Sequence, residues 1–396
     1  MSASSRTSIP LHREPKFRSL IFQAMVLLFF VWGLASIADN TARNMATRGI
    51  IIGLDWLDKI APFALGFSPF IAHKLGETTY WDIFFIAVQN TVFVSFFGII
   101  GATVLGFVVG VMRLSPNWLV AKIASVYVEF FRNVPLLLWF FFWYVAVFLP
   151  FLPGLRDSIA FGEAFYINNE GLYFPRPVVE NMAGFYTFLL FIITAVMAAF
   201  FISRWARRRQ EATGIQFPAA WVVLGLLLLV PLAGYFLSGS PLHWEYPELG
   251  RFQLSGGTNV STSFLVCWFA LTTYTAAFIA ENVRGGILAV SHGQTEAAHS
   301  LGLRRAPTLR LVIIPQAMRV IIPPTISQFL NLTKHSTLAV AVAYEEIASL
   351  WMGISLNTTG QALVIIAMSI GVFWVLSFLT SALLNWYNRR VQLTER

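Results

Sequence analysis

Charge is scarce in this 396-residue chain. Only 12% of its residues are Asp, Glu, Lys or Arg and 57% are hydrophobic, whereas a soluble domain is about a quarter charged. That scarcity excludes an ordinary soluble fold. Cysteine is scarcer still: the single Cys267 lies in an apolar run, so no intrachain disulfide and no cysteine metal site can form, and it reads as a small buried hydrophobe. Lysine occurs only as Lys16, Lys59, Lys74, Lys122 and Lys334, none of them after a glycine. A P-loop needs Gly-Lys followed by Ser or Thr, so no such ATP site is present. His12, His73, His243, His292, His299 and His335 form no His-x-x-x-His pair. His292 and His299 could share a helix face, but they read as solvated loop residues rather than metal ligands. No nucleophile–base pair marks a membrane-embedded enzyme.

What the chain has instead is apolar length. Several uninterrupted runs exceed the ~18 residues that suggest a membrane span, so the expected fold class is an all-α polytopic membrane protein. The net charge of +8 then requires no nucleic acid, because Lys and Arg gather in the cytoplasmic loops of membrane proteins. Arg6, Arg13, Lys16 and Arg18 precede a first span at about 20–38. This run is long enough to span, and Asp39-Asn40-Thr41 is a poor cleavage site, so a retained helix is expected rather than a signal peptide. Further spans are expected at about 87–112, 123–150, 183–203, 218–238 and 263–290. A discontinuous one starts near Val320, broken by Pro323-Pro324, and a last one covers about 361–386. The segments around 39–82, 150–181 and 239–262 read as loops. Arg113, Lys122, the cluster Arg204, Arg207, Arg208, Arg209, and Arg389, Arg390 all fall on one side of this plan. That makes about eight spans with both termini cytoplasmic.

Ionisable groups inside spans are costly and point to function by default. Glu129 and Arg132 stand one helical turn apart, and the simple reading is a self-neutralising i, i+3 pair. The sharper reading sets Arg132 and Lys334 near a translocation path, where a cation, or a helix N-terminus freed by Pro135 or Pro324, could hold a carboxylate. Glu281 and Arg284 are expected at the inner interface. The run Trp139-Phe140-Phe141-Phe142-Trp143-Tyr144 reads as lipid-facing surface. Gly98, Gly101, Gly106 and Gly110 stud the second span, where small residues let membrane helices pack closely.

The segment from Gly293 to Pro315 is polar and Arg-bearing between two apolar runs. Glu296, Ala297 and Ala298 suit a short exposed helix, Gly302 a left-handed cap, and Pro307 the first turn of a second short helix. A small helix of this shape suits a groove on another protein. The register also resembles the EAA loop of ATP-binding-cassette importer permeases: Glu296-Ala297-Ala298, Gly302, then Val312, Ile314 and Pro315. Arg284-Gly285-Gly286-Ile287, Gly293-Gln294, Gln316-Ala317 and Pro323-Pro324 point to the polar amino-acid branch. Arg132-Asn133-Val134-Pro135-Leu136-Leu137 is similar to that family's Arg-Gly-Thr-Pro-Leu-Leu, departing at Asn133 and Val134. Trp139 stands where a Gln is common. Lys334-His335-Ser336-Thr337-Leu338 resembles Lys-Asp-Thr-Ser-Leu, with His335 in place of an acid, and Gln328 and Asn331 precede it.

The resemblance implies a type I permease core over 87–150 and 263–396. Residues 1–86 would add a helix and an outer segment, and 151–262 an inserted two-helix hairpin with outer loops. This enlarged plan, with the segment 48–54, Asn168-Asn169 and Gly171, resembles the larger permease of general L-amino-acid importers. It implies ATPase coupling through Glu296, Ala297, Ala298, Gly302 and Pro315. It also implies a substrate path near Glu129, Arg132, Pro135, Gln328, Asn331 and Lys334, and no cofactor on this chain. ATP and Mg would sit on a partner ATPase dimer. A second permease subunit, a periplasmic amino-acid-binding protein and the lipid of a bacterial inner membrane would complete the assembly. The rival reading is an ion-coupled secondary transporter using Glu129, Arg132, Lys334 and Glu345, which leaves the register from Glu296 to Pro315 unexplained.

Overall fold

The computed structural model describes residues 15–47, 53–71, 73–250 and 254–391. The flanking Arg6 and Arg13, and most of the segment 48–54, lie outside the described residues. Seven helices are long and apolar enough to cross a membrane, or eight if one bent pair counts as a span, in line with the expected all-α polytopic class.

Helix α1 (Pro15–Thr47) is apolar, and its spanning window is wholly unburied by the rest of the chain. Helix α2 (Tyr80–Met112) starts at a capping box, in which Thr79 Oγ1 accepts from Asp82 N and the Asp82 carboxylate accepts from Thr79 N. Helix α3 (Trp118–Asn133) starts at Asn117, whose Oδ1 accepts from Leu119 N at 3.0 Å. It stops because Val134, held extended by the following Pro135, cannot continue it. The chain resumes as α4 (Leu136–Phe151), turned 110° from α3. The expected single span at 123–150 is therefore two helices with a sharp bend.

Helices α5 (Met182–Thr213) and α6 (Ala219–Leu237) form a hairpin. Gly234 of α6 lies so close to Phe191 that a Cβ there would sit 2.5 Å from its side chain. The segments flanking this hairpin are not loops. They hold β1 (Ile159–Phe161), β2 (Phe165–Asn168), β3 (Gly171–Phe174), β4 (Arg176–Val179), β5 (Leu242–Glu245), β6 (Glu248–Leu249), β7 (Leu254–Ser255) and β8 (Thr258–Ser261). These pair antiparallel as β1-β2-β3-β8, β4-β5 and β6-β7. The β2–β3 turn is set by Asn168, whose Oδ1 accepts from Glu170 N at 2.8 Å. The strands make a small extramembrane platform at the end of the α5–α6 hairpin away from Arg204–Arg209.

Helix α7 (Thr262–Leu288) is the most buried span, with Cys267 in its core as expected. It is followed by α8 (His292–Ser300), a one-turn helix Arg305–Thr308 that holds Pro307, a wide turn Leu309–Ile313, and α9 (Ile314–His335). Pro323 and Pro324 lie inside α9 and do not break it. Membrane helices tolerate proline where neighbours and Thr side chains satisfy the backbone. The discontinuity comes later: a tight turn Ser336–Val342 ends at Ala343 (φ 52°), and a wide π-type helix Ile347–Ser355 follows. Helix α10 (Ala362–Val391) is the last span.

The core is the seam between α2 and α7. A Cβ at Gly106 would lie 2.7 Å from Ile279, at Gly110 2.7 Å from Val283, and at Gly101 2.9 Å from Thr272. These glycines let the two helix backbones approach as small residues do in membranes. Gly106→Val should overpack this seam and lower the thermal midpoint of the solubilised protein, at a cost of about 1–3 kcal/mol. Gly225→Val, in open space on α6, should leave it nearly unchanged; equal shifts for both would show that the seam is not the core.

Candidate functional site

The segment from Gly293 to Pro315 forms a projecting knob on the end of the molecule where α7 and α9 meet. Ala298 is buried against its own chain, while Glu296, Ala297 and Gly302 are exposed and Leu301 is 82% exposed. Leu303 N donates to Ala298 O at 3.1 Å and Gly302 N to His299 O at 2.9 Å, with Gly302 at φ 76°. That pair of bonds is a Schellman cap, which favours Gly because a Cβ is strained at this φ. Among the described residues, no atom beyond Gly302 and its two chain neighbours lies within 4 Å of a Cβ built on Gly302, so the space over the cap is open. Glu296 pairs with His292 at 3.0 Å on the solvent side. Pro315 is at the second position of α9, directly after the wide turn Leu309–Ile313 in a helical stretch that runs on from Ala306, and such local widening accommodates a proline that lacks its N–H. Gln316 Nε2 donates to Gln294 Oε1 at 3.0 Å, tying the knob to the start of α9.

Beside the knob, Glu281 gathers three arginines. It accepts from Arg284 Nη2 at 2.5 Å and from Arg113, and Arg132 stands 3.9 Å away. Arg113 closes α2, Arg132 closes α3, and Glu281 and Arg284 belong to α7, so one carboxylate binds three helices. The i, i+3 pair expected between Glu129 and Arg132 does not form. Glu129 points outward with no ion pair recorded among the described residues, and Arg132 covers the Phe278 ring at 5.3 Å. Arg113 was read only as a topological marker, because its partner is 168 positions away.

The remaining path candidates are spread out. Pro135 is exposed at the α3–α4 bend, Gln328 is half-buried, and Asn331 and Lys334 are exposed. Gln328, Asn331 and Lys334 recur every three residues along one side of α9. Arg132 and Lys334 are not in contact. Between them stand Phe278, Tyr274 and His335, with ring centroids 5.0 Å and 6.2 Å apart in sequence. Part of the aromatic run turns inward: Trp139 and Phe140 are buried, and Trp139 stacks on Phe131 at 4.1 Å. The bend at Pro135 folds this run back over α3, which a straight span would not do.

Glu345 is a structural clamp. Its carboxylate accepts from Gly66 N and Phe67 N, both at 2.8 Å, and Asn90 Nδ2 donates to Phe67 O at 3.0 Å and Glu345 O at 2.8 Å. Glu346 accepts from Ser349 N at 2.9 Å and caps the wide helix. Asn90 was missed in the sequence, although the polar cluster Gln89-Asn90-Thr91 inside an apolar run is a signal for such a role.

Residues 212–393 match the profile of the family described as binding-protein-dependent transport system inner membrane component. The general L-amino acid transport system permease protein of Rhizobium johnstonii is 42% identical over 97% of this chain and 94% of its own length. The glutamate/glutamine/aspartate/asparagine transport system permease protein of Rhodobacter capsulatus is 39% identical over 97% of this chain and 96% of its own. A solved amino acid ABC transporter with histidines matches 78% of this chain and 95% of that one at 19% identity, with a TM-score of 0.46. The chain belongs to this family of ABC transporter permeases, and is a multi-pass membrane protein.

Glu281→Ala would leave Arg113, Arg284 and Arg132 without their shared counter-ion. The four side chains are 13–40% exposed, so the expected loss is about 1–3 kcal/mol, below that of a fully buried pair. Glu129→Ala should change stability by less than about 0.5 kcal/mol. Thermal unfolding in detergent compares them, and equal losses would remove Glu281 from its central place.

Proposed function

We propose, with this family membership as premise, that the chain is the transmembrane permease subunit of an ATP-driven, binding-protein-dependent importer of L-amino acids. The observation that carries the reading is the exposed knob: a helix end capped at Gly302, apolar at Leu301 and open above the cap. It stands at the ends of α7 and α9. A surface of this size and shape fits a groove on a partner, and its neighbours are the basic groups that mark the cytoplasmic side.

In this reading an ATPase dimer carries ATP and Mg and docks on the exposed Glu296, Ala297 and Gly302, while Ala298, buried beneath them, seats the knob on its own chain and Pro315 stands at the start of α9. Closure of the ATPase dimer pushes the knob, and the Gln294–Gln316 bond passes the displacement into α9. A partner shifts a conformational equilibrium only through contacts that differ between the two states, and the knob supplies that difference. Alternating access then exposes the path to one side at a time. Arg132, Pro135, Gln328, Asn331 and Lys334 stand along that path; Glu129, exposed beside Arg132, is its outermost member. A second permease subunit completes the channel. A periplasmic binding protein delivers the amino acid to the face that carries the β-strand platform, and both termini face the cytoplasm of a bacterial inner membrane.

The test is reconstitution in nanodiscs with the co-encoded ATPase, second permease and binding protein, followed by the ATPase rate against each L-amino acid. Stimulation should require the binding protein. Gly302→Leu should reduce that stimulation at least tenfold while the subunits still co-purify, because the side chain both strains the cap and fills the space above it. Gradient-driven uptake by this chain alone, with no assembly on an ATPase, would replace the proposal by the secondary-transporter reading.

A further inference from the structure

The α5–α6 hairpin is held only lightly by the rest of the chain. The spanning window of α5 is 11% buried and that of α6 is 6% buried, so packing does little to fix their depth in the bilayer. Helix α6 has 19 residues, about 28 Å at 1.5 Å per residue, which matches a hydrocarbon core ~30 Å thick. Its two ends therefore stand at the two boundaries of that core. Helix α5 has 32 residues. It starts level with the end of α6, since a Cβ on Gly184 would lie 2.6 Å from Ser238 O, and so it overshoots the start of α6. Ser203 of α5 borders Ala219 and Ala220 of α6, and Arg204, Arg207 and Arg208 come directly after it. At that rise Arg207 stands roughly 6 Å above the boundary, within a headgroup layer about 5–8 Å deep. Trp205 and Trp221, 50% and 76% exposed, mark the same level, as interfacial Trp residues do.

Charge at this level is one-sided. Glu211 is the only acid between 181 and 244. Among the described residues, no ion pair is recorded for Glu211, Arg204, Arg207 or Arg208. Arg209 lies over the Trp205 ring at 5.3 Å, and that ring meets Phe217 edge-on at 5.2 Å. Arg207 lines a cleft of about 250 Å³ between the two helices, shared with Ser203, Gln210, Phe217, Ala220 and Val223. A guanidinium presents paired N–H donors that match two phosphate oxygens, and the Gln210 amide supplies further donors. Ser203 Oγ donates to Ala199 O at 2.7 Å. With its proton spent on backbone, it offers the cleft only acceptor lone pairs, which suit a hydroxyl donor.

We infer that this cleft is a binding site for the headgroup of an anionic phospholipid with a glycerol-type headgroup. Arg207 and Gln210 hold its phosphodiester, and the Ser203 lone pairs receive a headgroup hydroxyl. Phe217, Ala220 and Val223 meet the top of the acyl chains, which continue along the apolar α5–α6 surface. Arg204 and Arg208 stand on the same stretch of α5 and raise the local positive potential, which favours a net anionic headgroup over one that carries its own ammonium. The bound lipid pins the depth of a hairpin that the rest of the chain barely holds. This site does not depend on the importer reading, and either can fail without the other.

The experiment uses the full chain, with the subunits that accompany it, in nanodiscs of dioleoylphosphatidylcholine. The probe is a trace of phosphatidylglycerol with a photoreactive diazirine high on one acyl chain, and the crosslinked peptides are mapped by mass spectrometry. Labelling should concentrate on 199–210 and 217–224. Unlabelled phosphatidylglycerol should suppress it at least tenfold more effectively than phosphatidylethanolamine. Arg207→Gln should lower this labelling at least tenfold. Arg208→Gln removes the same charge outside the cleft and should lower it less than threefold. Ala220→Phe fills the cleft with every arginine in place and should lower it as Arg207→Gln does. Equal losses in Arg207→Gln and Arg208→Gln would mean diffuse surface charge and overturn the inference, as would labelling that ignores headgroup type. Suppression by soluble glycerol 3-phosphate or inorganic phosphate would overturn it in favour of a soluble phosphate site. Labelling that appears only once the accompanying subunits are stripped away would overturn it too, and assign these arginines to a protein partner.

Discussion

Helices α2 and α7 touch backbone to backbone, and α3 and α9 pack on the frame that contact makes. In lipid, no difference in hydrophobicity draws two apolar helices together, so their association depends on close fit. Gly101, Gly106 and Gly110 provide the fit with Thr272, Ile279 and Val283. On the same frame, Gly286 of α7 meets Ile321 of α9, and Gly98 of α2 meets Leu332 of α9. Three helices thus share one tightly packed interior, and α3 joins them through Glu281 and its arginines. The knob at Glu296–Gly302 is tied to the start of α9 by the Gln294–Gln316 bond, and Lys334 lies near the end of the same helix, so a shift of α9 reaches both.

Several of the polar groups of this body fasten one segment to another. Glu345 and Asn90 pin the segment around Gly66 and Phe67 to the bundle, and Glu346 starts the wide helix. A carboxylate that accepts two backbone N–H groups replaces the water it has lost. These contacts give Glu345 and Glu346 a structural role in the fold.

The spans, their number and the short capped helix after α7 were legible because they depend on local pattern: apolar run length, basic flanks, and the register Glu296–Gly302–Pro315. The bend at Pro135 was half legible, since Pro marks a stop but not the 110° that follows. Pro323-Pro324 misled, because inside a bundle neighbouring helices support what proline interrupts in water. The platform could not be read at all. Its strands are two to four residues long, too short for alternation to show, and β3 finds β8 across the whole α5–α6 hairpin. Arg113–Glu281 and Glu345–Gly66 stayed hidden for the same reason, as contacts between positions far apart in the chain.

The pairing of β3 with β8 has an architectural consequence. Phe174 and Thr258 are partners in that ladder, and Thr262 N donates to Glu170 O at 3.0 Å. Everything from 175 to 257, including two membrane-crossing helices, therefore leaves and returns through a gap about one strand spacing wide, ~4.8 Å. A host chain can accept such an excursion without moving its own ends. The hairpin and much of its platform form a cassette whose closure is internal, so it can be lengthened, exchanged or removed by splicing across a short turn while the path from α4 to α7 keeps its direction.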